Sequence, residues 1–156
     1  MIIRSATEKD VERLYLMLQQ VQALHADGRP DIFKAGTNKY DRDAIRQILQ
    51  NPKTPVFVAD NGEMAVGYAF CAIKEQKESQ NLRPLKTYYL EDLCVDKDFR
   101  GAGLGTKLYN HVLAECKKEG CYHLTLNVWH LNESAVKFYE KLGMKPLKTT
   151  METIVK

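Results

Sequence analysis

The chain has 156 residues, of which 44% are hydrophobic and 28% charged, and its formal net charge is +3. This length suits one domain with a substantial hydrophobic core, so we expect a single domain over residues 1–156. Lysines and acids are dispersed without long runs, which argues against dedicated nucleic-acid or membrane binding. No apolar run approaches the roughly 18 residues of a membrane span, and the first residues lack the pattern of a secretory leader. We therefore expect the protein in the cytoplasm.

The cysteines form no C-x-x-C pair and lie mostly in apolar patterns, so we expect free thiols at Cys71, Cys94, Cys116 and Cys121. Cys121 and His123 could share a strand face, but no further ligand follows at metal-binding spacing. We predict no metal site.

The first half of the chain predicts two helices in front of a β-hairpin. Residues 2–6 indicate a short strand, and Thr7 is a suitable helix N-cap. Apolar side chains spaced three and four apart predict the helix itself, through Val11, Leu14, Leu18, Val21 and His25. Residues 41–50 predict a second helix, and Asn61-Gly62 between two β-rich runs predicts the hairpin.

The segment between the two helices, residues 27–40, has two interpretations. It is either a lid over a binding site, or a plain connection in which Ile32 and Phe33 fill the core.

The second half of the chain alternates strands and helices around a glycine-rich turn. Residues 88–95 predict a strand, and the apolar repeat after the turn predicts a helix over residues 104–119. Residues 122–128 predict another strand, and residues 132–143 a last helix that ends at a glycine. We expect the tail, residues 147–155, to form a final strand or strand pair.

The glycine-rich turn, Arg100-Gly101-Ala102-Gly103-Leu104-Gly105-Thr106, predicts an anion site. Glycines let a ligand approach the main chain, and a helix start offers unpaired N–H groups and the positive end of its dipole, most naturally to phosphate. The order Gly105-Thr106-Lys107 departs from a Walker A loop. A dinucleotide fingerprint is excluded too, because its third glycine would fall on Thr106 or Leu108.

A second motif follows about thirty residues later, and together the two motifs resemble the GNAT superfamily of acetyl-CoA-dependent N-acetyltransferases. The family's phosphate loop, Arg/Gln-x-x-Gly-x-Gly/Ala, is met by Arg100, Gly103 and Gly105. Its second segment, N-x-x-[SA]-x-x-[FL]-Y-x-[KR]-x-G-[FM], is met by Asn132, Ala135, Phe138, Tyr139, Lys141, Gly143 and Met144. Residues 1–85 match the family only in element order. A few residues from Tyr89 to Gly101 also resemble the diamine and polyamine acetyltransferases.

The resemblance implies an α/β fold, with a mixed, mostly antiparallel twisted sheet of about six or seven strands flanked by about four helices. It also implies acetyl-CoA as cosubstrate, with no metal. Backbone N–H groups would hold its pyrophosphate along the turn, at Arg100, Gly101, Ala102, Gly103, Gly105 and Thr106. The backbone of Leu93, Cys94 and Val95 would pair with the pantetheine arm like an added strand, with Asn132 and Tyr139 beside the cofactor.

The implied chemistry is attack of a neutral amine on the thioester, with the oxyanion bound by the N–H of Cys94 or Val95. Tyr139 is the predicted general acid for the leaving thiolate. Glu91 is our first choice as base, in competition with Asp92. Strand alternation places Glu91 with Leu93 and Val95 on one face and Asp92 with Cys94 on the other, unless a bulge intervenes. An acyl-carrying role for Cys94 is less favoured, since direct transfer needs no nucleophile.

The predicted function is N-acetylation of a primary amine, on a polyamine-like or other small molecule or on a protein lysine or N-terminus. Asp92 and Asp31 are candidates to bind a cationic acceptor. The alternative is a non-catalytic sensor or scaffold module that binds acyl-CoA. We expect neither nucleic acid nor membrane as partner, and the resemblance makes a homodimer possible.

Overall fold

A computed structural model describes residues 1–156 and contains one five-stranded sheet, ordered β1-β2-β3-β4-β5. The strands are β1 (Ile2–Ser5), β2 (Val56–Asp60), β3 (Ala65–Gln76), β4 (Leu85–Val95) and β5 (His123–Thr125). Neighbours are antiparallel from β1 to β4, and β5 runs parallel to β4. The helices are α1 (Val11–Gly28), α2 (Arg42–Gln50), α3 (Leu104–Lys118) and α4 (Glu133–Lys141). This mixed α/β architecture confirms the expected fold class.

Local sequence signals account for most of these boundaries. The Asp41 side chain accepts a hydrogen bond from the Ala44 N–H at 2.7 Å and so starts α2. In the β2–β3 hairpin, the Asn61 side chain accepts from the N–H groups of Glu63 and Met64 at 2.9 and 3.0 Å. The predicted helices and hairpin are therefore confirmed.

The sheet has five strands instead of the expected six or seven. Only three residues of the predicted strand 122–128 pair, as β5, and the tail forms no strand. Residues 145–156 are exposed and make no backbone hydrogen bond, and Glu152 alone is anchored, by Arg29 Nη1 at 2.7 Å. The tail prediction was wrong because β propensity describes a residue's fit to a sheet and does not supply a neighbouring strand.

Two hydrophobic layers pack on opposite faces of the sheet. The layer under α3 includes Leu104, Leu108, Val112 and Cys116, and the layer under α1 and α2 includes Leu14, Met17, Leu18 and Ile45. All four cysteines are free thiols, as expected. None of the helices combines the length and the apolarity that a membrane crossing requires.

A buried carboxylate ties α1 to the end of β4. Asp96 is only 4% exposed, and its Oδ2 accepts from Arg13 Nη2 at 2.6 Å, while Arg13 Nε donates to the Ala65 carbonyl at 2.9 Å. Burial alone would raise the pKa of Asp96, but hydrogen bonds from the Asp98 N–H and from Arg13 outweigh it, so this pKa lies below its usual value. Asp96 thus fixes the segment that leads into the glycine-rich turn.

We expect Arg13→Ala to lower the free energy of unfolding by about 3 kcal/mol at pH 7, because it leaves a buried carboxylate without its cation. Because the pKa of Asp96 is lowered by folding, its stabilisation is complete above the unfolded value of about 3.9 and is lost as the pH falls further. Urea unfolding should therefore show a smaller difference between variant and wild type at pH 3.5 than at pH 7.

The matched control is Arg46→Ala, because Arg46 pairs only with the exposed Glu8 and Asp43. It should change stability far less. Equal losses in the two variants would contradict a special role for the Arg13–Asp96 pair.

Candidate active site

The site is organised by an open edge of β4. On one side β4 pairs with β3 from Leu85 to Val95 except at Glu91, whereas on the other side β5 pairs only with residues 87–89. From Leu90 to Val95 no strand lies beside β4 on that side. Exposed strand edges carry unpaired backbone donors and acceptors, so this edge can bind an extended ligand.

The glycine-rich turn lies at the end of this edge. Gly101 and Gly103 have φ of +88° and +72°, and a Cβ at either position would meet no atom within 4 Å. The space beside the backbone at these two glycines is therefore open, and the start of α3, which directly follows Gly103, offers unpaired N–H groups. Arg100 Nε donates to the Val95 carbonyl at 3.2 Å and joins the turn to the strand. The turn fits an anionic group such as a pyrophosphate.

The third glycine has a packing role. A Cβ at Gly105 would lie 3.2 Å from Cζ of Phe138 and 3.9 Å from Cδ2 of Leu93. Gly105 therefore lets α4 approach α3 and β4 closely, which brings the neighbouring Tyr139 toward the site. The Tyr139 ring packs against the core under α3, 6.4 Å from the ring of Tyr109 between centroids.

A β-bulge changes the predicted alternation of β4. Asp92 lies opposite Phe70 and Leu90 opposite Cys71, so Glu91 has no partner on β3. The extra residue turns both carboxylates to the face of α1 and α2, while Leu93 and Val95 pack under α3. The prediction that Glu91 shares a face with Leu93 and Val95 was wrong, since the bulge resets the alternation.

Each carboxylate on this face has its own hydroxyl donor. The Tyr40 hydroxyl donates to Glu91, whose Oε1 also lies 2.8 Å from Nζ of Lys39. The Tyr68 hydroxyl donates to Asp92 Oδ2 at 2.8 Å. Lys39 is paired with Glu91 alone, so two adjacent carboxyl groups have one lysine beside them and make this face of the site acidic.

Burial dominates the proton affinities at the site. It raises the pKa of Asp92, which the Tyr68 hydrogen bond only partly offsets. It also raises the pKa of Tyr139, with the charge of Asp92 as the next cause, so this phenol is protonated at neutral pH. Burial and the Asp92 charge raise the pKa of Cys94 to about 12, which argues against Cys94 as a thiolate nucleophile.

Asn132 and Asp31 are the two remaining predicted site residues. The Asn132 side chain caps α4, accepting from the Ala135 N–H at 3.3 Å, which leaves its amide nitrogen for a ligand. Asp31 is paired with Arg29 Nη2 at 2.8 Å and has no contact with Glu91 or Asp92. The structure therefore does not bring Asp31 together with the other acids.

Sequence reasoning missed Lys39, Tyr40 and Tyr68, because no motif marks them. The segment 27–40 crosses over Glu91 and brings Lys39 and Tyr40 to it, while Ile32 is 49% exposed and does not fill the core. Phe33 packs instead against His25 and Trp129, with ring centroids 4.8 and 5.3 Å away. Only the end of the segment, at Lys39 and Tyr40, contacts Glu91, and the lid interpretation stays a prediction.

Comparison with known proteins agrees with this geometry. Residues 6–144 match the model of the "Acetyltransferase (GNAT) family". A peptidyl-lysine N-acetyltransferase of Escherichia coli K12, YjaB, is 30% identical over 92% of this chain and 81% of that protein. A thialysine N-epsilon-acetyltransferase of Sus scrofa is 28% identical over 94% of this chain and 85% of that protein.

A solved structure is similar along nearly the whole chain. The tetramutant of the BH1408 protein from Bacillus halodurans superposes with a TM-score of 0.95 at 31% identity, covering 99% of this chain and 100% of that one. The family model, the relatives and the fold agree, and the chain belongs to the GNAT family of acetyl-CoA-dependent acetyltransferases.

Proposed function

We propose that this chain transfers the acetyl group of acetyl-CoA directly to a cationic primary amine. The observation that carries the proposal is the open edge of β4. The glycine-rich turn lies at its end, the carboxylates of Glu91 and Asp92 lie at its bulge, and Tyr139 approaches from α4.

The cosubstrate would lie along this edge. The turn from Arg100 to Thr106 offers N–H groups and open space to the pyrophosphate. The edge at Leu93, Cys94 and Val95 would pair with the pantetheine arm. Asn132, at the start of α4, would contact the cofactor near the same arm. A backbone N–H of Cys94 or Val95 would then bind the oxyanion.

The acceptor must lose a proton before it attacks. For an amine with a pKa of about 10.4, this costs about 4–5 kcal/mol at pH 7, so a nearby base has a defined task. Glu91 is our proposed base, because its Oε1 already accepts from an ammonium group. Asp92 would hold the positive charge, and its raised pKa makes it the second candidate for the base.

Tyr139 would donate the proton that the leaving sulfur needs. Its raised pKa keeps the hydroxyl protonated at neutral pH. A phenol is a weaker acid than a thiol, about 10 against 8.5, so donation must accompany cleavage of the C–S bond, and Tyr139 recovers a proton from solvent afterwards.

The acidic pocket favours a lysine-like acceptor. Two relatives are named for acetylating peptidyl-lysine and the Nε of thialysine. Both names describe an amine, and an alkylammonium group suits a pocket with two carboxylates and tyrosine hydroxyls.

Tyr139→Phe should lower the rate of thiol release from acetyl-CoA by about 10²–10⁴-fold on the best amine of a panel. Coenzyme A binding, measured by calorimetry, should be retained because the ring and its packing remain. The matched control is Tyr109→Phe, which removes the hydroxyl of a neighbouring buried tyrosine on α3.

An equal loss in both tyrosine variants would contradict the acid role of Tyr139. Tight binding of coenzyme A by the wild type without turnover on any amine would favour the sensor or scaffold alternative.

We also propose that a second copy of the chain covers the tail. Residues 145–156 have no backbone partner, and β5 has no neighbour on its outer edge. Odd positions of the tail would form one apolar and β-branched strand face, namely Leu147, Thr149, Met151, Thr153 and Val155. Leu147, Met151 and Val155 are 73%, 85% and 94% exposed. Pairing of this tail with β5 of another copy would bury the face and complete both edges.

The double variant Met151→Ser, Val155→Ser should therefore turn a dimer into a monomer, as measured by light scattering after size exclusion. Ile154→Ser is the matched control, because Ile154 lies on the opposite strand face and is also exposed, at 69%. A monomeric wild type, or equal effects of both changes, would contradict tail exchange.

A further inference from the structure

We propose that Lys39 is an acetylation site of this protein, modified by the active site of its own chain. The inference rests on the proposed function, since it uses the same cosubstrate, base and acid. Its basis is the placement of the Lys39 amine, which contacts the carboxylate that we propose as the base.

The Lys39 amine is within hydrogen-bond distance of the proposed base. Nζ lies 2.8 Å from Oε1 of Glu91, within the range of about 2.6–3.2 Å that a general base needs to take a proton. The same Nζ lies 5.6 Å from the ring centroid of Tyr40, whose hydroxyl also donates to Glu91. An ammonium group is thus held by a carboxylate and an aromatic ring.

No other lysine is held at this site. The other lysine–carboxylate pairs join Lys53 to Glu75, Lys86 to Glu119, and Lys118 to Glu115. Their carboxylates lie outside the bulge of β4, so position distinguishes Lys39 from the remaining lysines.

The Lys39 amine lies beside the bulge of β4, because its partner Glu91 is the extra residue of that bulge. The Lys39 side chain is 46% exposed, and its amine ends a flexible four-carbon stem. The backbone next to it is held by Asn38, whose Nδ2 donates to the Tyr15 carbonyl of α1 at 2.9 Å. The proposal therefore requires that rotation of this side chain carries Nζ from Glu91 to the open edge of β4.

The reaction balances without a further reagent. Glu91 takes one proton from the Lys39 ammonium, the neutral Nζ forms a bond to the acetyl carbon, and the carbon–sulfur bond breaks. The sulfur leaves as the thiol with the proton from Tyr139. The acylated nitrogen loses its second proton, which returns to Tyr139 through solvent, and Glu91 releases its proton to solvent. The net products are Nε-acetyl-lysine, coenzyme A and one proton.

Acetylation of Lys39 would also change the charge of the site. The amide has no positive charge, so the ion pair with Glu91 is lost and the pocket gains one unit of negative charge. A cationic acceptor would then meet Glu91 without competition from Lys39.

The test is incubation of the purified chain with acetyl-CoA and no acceptor, followed by peptide mass spectrometry over time. Lys34 is the internal control, because it lies on the same segment, is exposed and has no carboxylate partner. We expect acetylation of Lys39 at least tenfold faster than that of Lys34. Glu91→Gln should slow the acetylation of Lys39 at least tenfold, since a positioned base contributes about 10²–10⁴-fold.

Transfer within one chain also predicts a rate constant that does not depend on protein concentration. Equal rates at Lys39 and Lys34, no effect of Glu91→Gln, or a rate constant that rises with protein concentration would each overturn the proposal.

A second assay, thiol release from acetyl-CoA with added amines, distinguishes acetylation of Lys39 from the proposed function. Turnover of an added amine without preferred modification of Lys39 would overturn this proposal alone. Absence of both would overturn the two together.

Discussion

The site depends on a difference in backbone pairing between the two edges of β4. One edge is paired with β3 from Leu85 to Val95, and this pairing holds the strand in place, whereas the other edge loses β5 after Tyr89. A strand that was unpaired on both sides would not be ordered, and one paired on both sides would have no backbone group to offer. The half-paired state provides a rigid edge with free donors and acceptors, which a long, extended cosubstrate requires.

The bulge at Glu91 brings two carboxyl groups to the same face of the sheet. Without it, one carboxylate of the Glu91–Asp92 pair would face α3 and only the other would reach the pocket. With it, both face α1 and α2, where like charges on adjacent residues repel each other and raise the cost of ionising both. Separate donors from Tyr40, Tyr68 and Lys39 offset this cost. These three side chains are therefore part of the site although none belongs to a motif.

Sequence reasoning succeeded where the determinant is local. The strand-to-helix turn at the glycines, the start of the last helix and the Asn-Gly hairpin each depend on a few neighbouring residues, and the structure places all three as predicted. It failed where the determinant is a distant partner. The bulge depends on how β4 aligns with β3, and the tail lacks a strand because its own sheet offers no neighbour to it. Lys39 reaches Glu91 across 52 positions of sequence, a contact that no local pattern encodes.

The charge balance of the pocket connects binding to chemistry. Lys39 pairs with Glu91, and its charge offsets part of the rise that burial causes in the pKa of Asp92. An arriving ammonium must replace Lys39 at Glu91, and the favourable energy of the new ion pair is then reduced by the loss of the old one. Weak ground-state binding of this kind does not by itself slow the chemical step, because only interactions that are stronger in the transition state than in the ground state change its barrier. Lys39 would thus limit the affinity for the charged amine and leave Glu91 free to act as the proposed base once the amine is bound.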